Sequence, residues 1–161
     1  MDTEKDLQYL TRAIELASES VKSGGGPFGA VITRNGVIVA EACNRVTVHN
    51  DPTAHAEVEV LRKAAQLLER PHLDDCVLYA SCEPCPMCLA ASLLAHIPRI
   101  VFAASYADAA RGGFADTPIA LQLYGQARPV AAAPGLIQQL PHPQAASPFD
   151  EWLACNNRCP Y

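Results

Sequence analysis

Two short motifs in this chain carry residue types that bind metal ions and move protons. The first is His55-Ala56-Glu57, and the second, thirty residues later, is Pro84-Cys85-Pro86-Met87-Cys88. One imidazole and two thiolates are ligands that suit zinc, and three protein ligands leave the fourth tetrahedral position open, as in hydrolytic zinc sites. We therefore predict that His55, Cys85 and Cys88 hold one zinc ion per subunit.

Glu57 occupies a position that suits acid–base work. Two residues beyond the histidine, its carboxylate can reach a water molecule on the metal without binding the metal itself. Zinc lowers the pKa of such a water to about 7, so a nearby carboxylate can take its proton. We predict that Glu57 is catalytic and that the chemistry is hydrolytic.

Each motif alone has a simpler explanation. His-x-Glu occurs by chance in many helices, and Cys-x-x-Cys can be a redox pair or half of a structural zinc ribbon. A ribbon needs a second, separate pair, and the chain has no Cys-x-x-Cys that does not share Cys85. Cys155 and Cys159 could join a second site, but no further histidine or cysteine lies close to them in sequence. The two motifs together favour a catalytic zinc site.

Length and composition limit the classes of protein that fit. The chain has 161 residues, half of them hydrophobic, and a net charge of −5. One domain over residues 1–161 is expected. No apolar run approaches the ~20 residues that span a bilayer, and the polar N-terminus does not resemble a signal peptide. We expect a cytoplasmic protein with reduced cysteines. Without clustered Lys and Arg, no nucleic-acid partner is expected.

The first part of the chain predicts a helix followed by a hairpin. Thr3 and Asp6 resemble a capping box, and apolar residues recur at helical spacing from Leu7 to Val21. Phe28 to Thr33 is typical of a strand, Asn35-Gly36 of a two-residue turn, and Val37 to Cys43 of the return strand.

The middle of the chain alternates helices and strands. Asp51 is predicted to cap a helix that runs to about Arg70. The remaining predicted elements are a strand at Cys76 to Ser81, a helix from Pro86 toward Ala95 and a strand at Arg99 to Ala104. Both motifs then fall at helix N-termini, which would converge on one metal. This alternation predicts an α/β fold, a three-layer α/β/α sandwich with a mixed central sheet.

At the zinc motifs the chain resembles the cytidine deaminase-like superfamily, whose signature is His-x-Glu followed by Pro-Cys-x-x-Cys. Within it, the chain is most similar to the bacterial guanine deaminases, from about Gly25 through Asp116. The resemblance implies hydrolytic deamination of a nucleobase, guanine to xanthine plus ammonia. In that reaction Glu57 would pass a proton to a ring nitrogen and later to the departing amine.

The resemblance also implies which residues contact the substrate. Asn44 would bind the base, because an amide can donate and accept hydrogen bonds together. Asp116 would move protons at the 2-amino edge as a second catalytic residue. Phe28 would stack on the ring, and Tyr161 would close the pocket. We also expect Ala56, between His55 and Glu57, to contact the substrate.

Two positions depart from the pattern of this family. Leu93-Leu94 stands where the family usually has a large aromatic residue facing the pocket, and Ala115 stands where it often has a second aspartate. We therefore expect a wider or less polar pocket. The resemblance also implies a homodimer, with exchange of the C-terminal segment, about 127–161, between subunits as one arrangement.

Other functions stay open at this point. The substrate could be another amino-heterocycle or nucleoside, such as guanosine, cytosine or a pterin. A tRNA adenosine deaminase shares the zinc motifs, but it needs a basic surface that this acidic chain lacks. An inactive zinc-bound scaffold is the non-enzyme alternative, and the presence of Glu57 argues against it.

Overall fold

A mixed five-stranded sheet lies at the centre of the computed structural model, which describes residues 3–126 and 135–161. Its strands are β1 (Gly29–Arg34), β2 (Val37–Cys43), β3 (Cys76–Cys82), β4 (Arg99–Ala104) and β5 (Ile137–Gln139). They lie in the order β2-β1-β3-β4-β5. β1 is antiparallel to β2 and β3, whereas β3, β4 and β5 are mutually parallel.

Helices cover both faces of the sheet. They are α1 (Thr3–Lys22), α2 (Val46–His49), α3 (Ala56–Leu67), α4 (Pro86–Leu94), α5 (Tyr106–Arg111), α6 (Thr117–Tyr124) and α7 (Ser147–Ala154). α1 packs on one face, and α3 and α4 pack on the other. The predicted three-layer α/β/α architecture is confirmed. Among the described residues, no helix is both long and apolar enough to cross a membrane.

The central strands have apolar side chains on both faces because both faces are covered. Successive residues of a strand point to opposite sides of the sheet. On the side of α3 and α4 lie Ile32, Leu78 and Phe102. On the side of α1 lie Val31, Tyr79 and Val101. The hydrophobic core therefore has two layers, one on each side of β1, β3 and β4.

The hairpin was predicted correctly by its turn chemistry. Asn35 and Gly36 both have positive φ, 52° and 74°, as a type I′ turn requires. β2 and β4 occupy the predicted residues, and the parallel pairing of β3 with β4 across α4 is also present.

The predicted start of the second long helix is wrong. Asp51 does not cap it, because its Oδ1 accepts hydrogen bonds from the amide of Thr53 at 2.8 Å and from the Thr53 hydroxyl at 2.7 Å. Such a side-chain-to-backbone bond stabilises a turn. The helix α3 begins at Ala56 with His55 as its N-cap, and it ends at Leu67 rather than near Arg70.

The C-terminal part of the chain returns to the sheet and to α1. The first eight residues of the segment 127–161 lie outside the described residues. After them, β5 extends the sheet beside β4, and α7 packs against α1. Phe149 and Trp152 of α7 enter an apolar cluster with Val21 and Phe114. The tail is therefore part of the packed structure.

A charged pair ties α1 to the sheet. The carboxylate of Asp6 accepts hydrogen bonds from the Arg99 guanidinium at 3.0 and 2.6 Å and from the Tyr79 hydroxyl at 2.7 Å. The hydrogen bond from Arg99 lowers the pKa of Asp6 and outweighs the opposing effect of burial. Since the side chain of Asp6 is only 8% exposed, loss of one partner leaves a poorly solvated charge.

We expect Asp6→Ala to lower the free energy of unfolding by about 3 kcal/mol, because breaking a buried ion pair leaves the other charge uncompensated. Asp74→Ala is the control: Asp74 is 68% exposed in its pair with Arg70, and such pairs contribute about 0–1 kcal/mol. Denaturant unfolding of both variants measures the difference.

The same pair predicts a pH dependence. A carboxyl whose pKa is depressed in the folded state stabilises the fold above its ordinary pKa of about 4 and stops doing so as the pH falls through the lowered value. The stability gap between the unmodified protein and Asp6→Ala should therefore shrink in acid. A gap that stays constant from neutral pH to pH 2 would contradict this role.

Candidate metal centre and active site

Three potential metal-binding atoms meet at the carboxyl edge of the parallel strands. Nδ1 of His55 lies 3.6 Å from the sulfur of Cys85 and 3.6 Å from that of Cys88, and the two sulfurs are 3.5 Å apart. Tetrahedral zinc, with bonds of about 2.3 Å to sulfur and about 2.0 Å to nitrogen, separates its ligands by roughly 3.5 to 3.8 Å. The three predicted ligands therefore fit one zinc ion.

Two helix N-termini position these ligands. His55 is the N-cap of α3, and Cys85 is the N-cap of α4, with Cys88 in the first turn of the same helix. Pro86 occupies the first helical position, where its missing N–H costs nothing. The partial positive charge of a helix N-terminus favours thiolate over thiol. The predicted convergence of two helix starts is confirmed.

The protonation of the ligands follows from their proximity. The hydrogen bond between the two thiols, helped by His55, lowers the pKa of Cys85 to about 4 against the opposing effect of burial. Burial disfavours a charged His55, but its hydrogen bond to Cys85 and the charge of that sulfur raise the pKa of the imidazole to about 9. An anionic sulfur is thus stabilised in the place where a metal needs one.

Glu57 lies beside the metal ligands without being one of them. It is the second residue of α3, it is 5% exposed, and its Oε2 lies 3.5 Å from the sulfur of Cys88. Burial, followed by the negative charge of Cys85, raises the pKa of Glu57 to about 7. A carboxyl group with such a pKa can both take up and release a proton near neutral pH.

A cavity of about 390 Å³ opens onto this centre. Its lining includes His55, Cys85 and three carboxyl side chains, those of Glu57, Glu83 and Asp116. Among the described residues, no Lys or Arg lines the cavity. Because phosphate recognition needs cationic groups, this cavity suits an uncharged ligand better than a phosphorylated one.

Asp116 reaches the cavity from the start of α6. It is the N-cap residue of that helix, yet its side chain makes no capping hydrogen bond. Burial and then the charge of Cys85 raise the pKa of its carboxyl group. The structure thus brings both carboxylates that the sequence singled out, Glu57 and Asp116, into one cavity.

Aromatic rings form one wall of the cavity. The ring of Phe28 meets that of Phe114 edge to face at a centroid distance of 5.0 Å, and it meets Phe149 in the same way at 5.6 Å. Tyr161 lies 5.3 Å from Phe114, between ring centroids. Phe28 and Tyr161, both predicted substrate contacts, line the cavity.

Two other predicted contacts lie behind the wall. Asn44 is 1% exposed, and its Oδ1 accepts hydrogen bonds from the amides of Gly26 at 3.3 Å and Val46 at 3.2 Å. Its Nδ2 has no acceptor within the described part of the chain. Ala56 is wholly buried and is not among the lining residues.

The sequence did not indicate three of the residues that line the cavity, and it assigned to the cavity two residues that lie elsewhere. Glu83, Met87 and Phe114 line the cavity, and only their position next to predicted ligands or to Asp116 could have indicated this. The expected influence of Leu93-Leu94 on the pocket is wrong, because both side chains face solvent, Leu94 with 80% exposure. The departure at Ala115 does lie in the lining.

Comparison with known proteins places this arrangement in context. Residues 3–104 match the family model for the cytidine and deoxycytidylate deaminase zinc-binding region. The guanine deaminase of Bacillus subtilis (strain 168) is 46% identical over 154 residues, which cover 95% of this chain and 97% of that protein. A tRNA-specific adenosine deaminase of Buchnera aphidicola is 39% identical over 103 residues, 64% of each chain.

Solved structures show the same similarity. The X-ray structure of guanine deaminase from Bacillus subtilis has a TM-score of 0.69 to this chain and covers 96% of it, with 97% of its own length. A structure of guanine deaminase from Nitrosomonas europaea, 27% identical, has a TM-score of 0.77, with 91% of this chain and 84% of that chain covered.

We expect the purified protein to contain close to one zinc ion per chain and the Cys88→Ser variant to retain only a small fraction, because two ligands cannot replace three. Cys159→Ser is the matched control, since Cys159 is exposed and lies outside the site. Elemental analysis measures both. Full zinc content in Cys88→Ser would contradict the ligand assignment.

Proposed function

The chain belongs to the cytidine and deoxycytidylate deaminase zinc-binding family, and on that premise we propose that it hydrolyses guanine to xanthine and ammonia. It is a zinc-dependent aminohydrolase of this family, and the proposal concerns its substrate and the roles of its residues. The observation that carries it is a buried carboxylate, Glu57, beside a three-ligand zinc site in a cavity whose described lining includes no Lys or Arg.

Each group at the metal end of the cavity has a defined task in this reaction. Bound zinc supplies Lewis-acid activation of water. Glu57 takes the proton of the attacking water and delivers it to a ring nitrogen of the base. It then takes a second proton, from the hydroxyl group that water has added to the ring carbon, and gives it to the amine, which leaves as ammonia while the carbonyl of xanthine forms. One carboxylate can perform both transfers because its pKa, raised to about 7 by burial and the charge of Cys85, lies near neutral pH.

Asp116 suits the polar edge of guanine. Its carboxylate lines the same cavity as Glu57 and makes no capping hydrogen bond with its own helix. A carboxylate there can accept hydrogen bonds from the 2-amino group and the neighbouring ring N–H, which adenine does not offer together. We assign Asp116 the second catalytic role, in moving protons at this edge.

The remaining substrate contacts follow from the cavity wall. Phe28 and Tyr161 present aromatic surface to a flat base. Asn44 carries a buried donor, Nδ2, without an acceptor in the part of the chain that the structure describes. Such a donor costs about 1–3 kcal/mol while it is unsatisfied, so a carbonyl oxygen or ring nitrogen of the base would be bound there. We also propose a contact of the base with the backbone of Ala56, although the whole residue is buried in this structure.

A tRNA substrate is less well supported. The tRNA-specific adenosine deaminase covers only 64% of this chain, whereas the guanine deaminase of Bacillus subtilis covers 95%. The net charge of −5 and the absence of Lys and Arg from the described lining of the cavity disfavour a polyanion. We expect no nucleic-acid partner.

We also propose a cytoplasmic homodimer of single-domain subunits. All seven cysteines are free, as a reducing compartment allows. Phe149, Trp152 and Tyr161 pack on the body of their own chain, and exchange of 127–161 would form the same contacts between two subunits. Light scattering tests the dimer, and a monomeric mass at micromolar concentration would exclude it.

The substrate is tested by ammonia release from zinc-replete protein with a panel of purines, pyrimidines, pterins and nucleosides. We expect guanine to have the highest kcat/KM, because the cavity combines aromatic walls with Asp116. Faster turnover of guanosine, cytosine or a pterin would transfer the assignment to that compound. Tight tRNA binding at low salt would instead favour tRNA editing.

Replacing Glu57 by Gln tests the mechanism. We expect turnover to fall by ~10²–10⁴-fold, because an amide cannot carry the proton, while zinc stays bound. Glu59→Gln is the matched control, because Glu59 lies on the same helix but is bonded to Arg62 at the surface. Unchanged turnover in Glu57→Gln with full zinc content would exclude the proposed role.

A further inference from the structure

Gly26 stands where any side chain would collide with Tyr161. A Cβ atom on Gly26 would lie 1.9 Å from the hydroxyl oxygen of Tyr161, 2.8 Å from its Cζ and 3.0 Å from its Cε1. Its backbone does not require glycine, because Gly26 is not among the residues with positive φ. The absence of a side chain at this position therefore matters for the space it leaves to Tyr161.

The space beside Gly26 lies between Asn44 and Tyr161, which is part of the cavity wall. The amide of Gly26 donates to Oδ1 of Asn44, and Tyr161 lies close enough to Asn44 that the amide opposes the rise in pKa that burial causes in the tyrosine. The hydroxyl group of Tyr161 thus ends beside Gly26 and Asn44, while its ring contacts Phe114.

The other contacts of the tail do not fix this position. Phe149 and Trp152 anchor α7 through apolar ring contacts with Phe28 and Phe114. These contacts lie nine or more residues before Tyr161, and no regular element follows α7 in the described chain. Between them, Arg158 donates back to the carbonyl oxygens of Leu153 and Cys155, at the end of α7. The placement of the tyrosine ring over the cavity therefore depends on what it meets there, namely Gly26, Asn44 and Phe114.

We propose that Gly26 is a positioning residue that lets Tyr161 form the closing wall of the cavity and so sets how firmly the site holds its substrate base. The expected effect on KM rests on the proposed function, whereas the expected position of Tyr161 does not. The three atoms nearest to a Cβ on Gly26 all belong to Tyr161, and none belongs to a zinc ligand or to Glu57. Displacement of Tyr161 should therefore weaken binding more than chemistry.

We expect Gly26→Ala to raise KM for guanine by about tenfold and to change kcat by less than about threefold, the pattern for loss of uniform binding. Gly24→Ala is the matched control in the same loop. A Cβ on Gly24 would meet nothing within 4 Å, although its φ of +85° makes alanine strained. It should lower the melting temperature without changing KM.

A double-mutant cycle separates a contact with Tyr161 from a general effect on the loop. Tyr161→Ala removes the group that Gly26→Ala would displace, so it should raise KM by itself, and Gly26→Ala should add nothing in that background. The double variant also lacks the collision and should fold as well as Tyr161→Ala. A full additional effect of Gly26→Ala in the absence of Tyr161 would overturn the proposal.

A measurement without substrate separates this inference from the choice of guanine. In protein labelled with fluorotyrosine, the Tyr161 resonance is the one lost in Tyr161→Phe. We expect it to shift toward the solvent-exposed value in Gly26→Ala but not in Gly24→Ala. An unshifted resonance in Gly26→Ala would refute the positioning role, even if guanine is the substrate. A shift would support it, even if another base is.

Discussion

The structure depends on the meeting of two helix N-termini at the carboxyl edge of parallel strands. One terminus contributes an imidazole and the other contributes two thiols, with 3.5–3.6 Å between the three donor atoms. Helices α3 and α4 must lie on the same face of the sheet for this to happen. The apolar contacts of that face, among them Val60, Leu89 and Phe102, therefore position the chemistry as well as stabilise the fold.

Charge distribution around this point explains the character of the site. Three carboxyl side chains and the sulfur of Cys85 surround a small cavity, and none of the described residues that line it is Lys or Arg. A divalent cation would offset part of this negative charge. Burial holds the carboxyl groups of Glu57 and Asp116 above their ordinary pKa values. This charge distribution by itself disfavours an anionic ligand, whatever contacts a base makes in the cavity.

Local chemistry determined how much could be predicted from the sequence. The hairpin turn, β2, β4 and the zinc ligands depend on neighbouring residues, and their predicted bounds or spacing are correct, whereas β1 is shifted by one residue from the prediction. Asp51-Pro52 was misread because the same residues favour a turn and a helix start, and Asp51 bonds to Thr53 instead. The short helices α2, α5 and α6 depend on tertiary packing. Likewise, Asp6 finds its partner Arg99 on β4, and solvent exposure of Leu94 depends on how α4 is rotated.

The closing wall of the cavity is encoded far downstream of the metal ligands. Residues 55–88 supply the zinc ligands, whereas Tyr161 lines the cavity from the C-terminal part of the described chain. During translation, the former leave the ribosome first, and folding of a nascent chain proceeds from its N-terminal part. Metal uptake can thus precede enclosure, so an ion as hydrated as zinc can enter while the centre is still open to water.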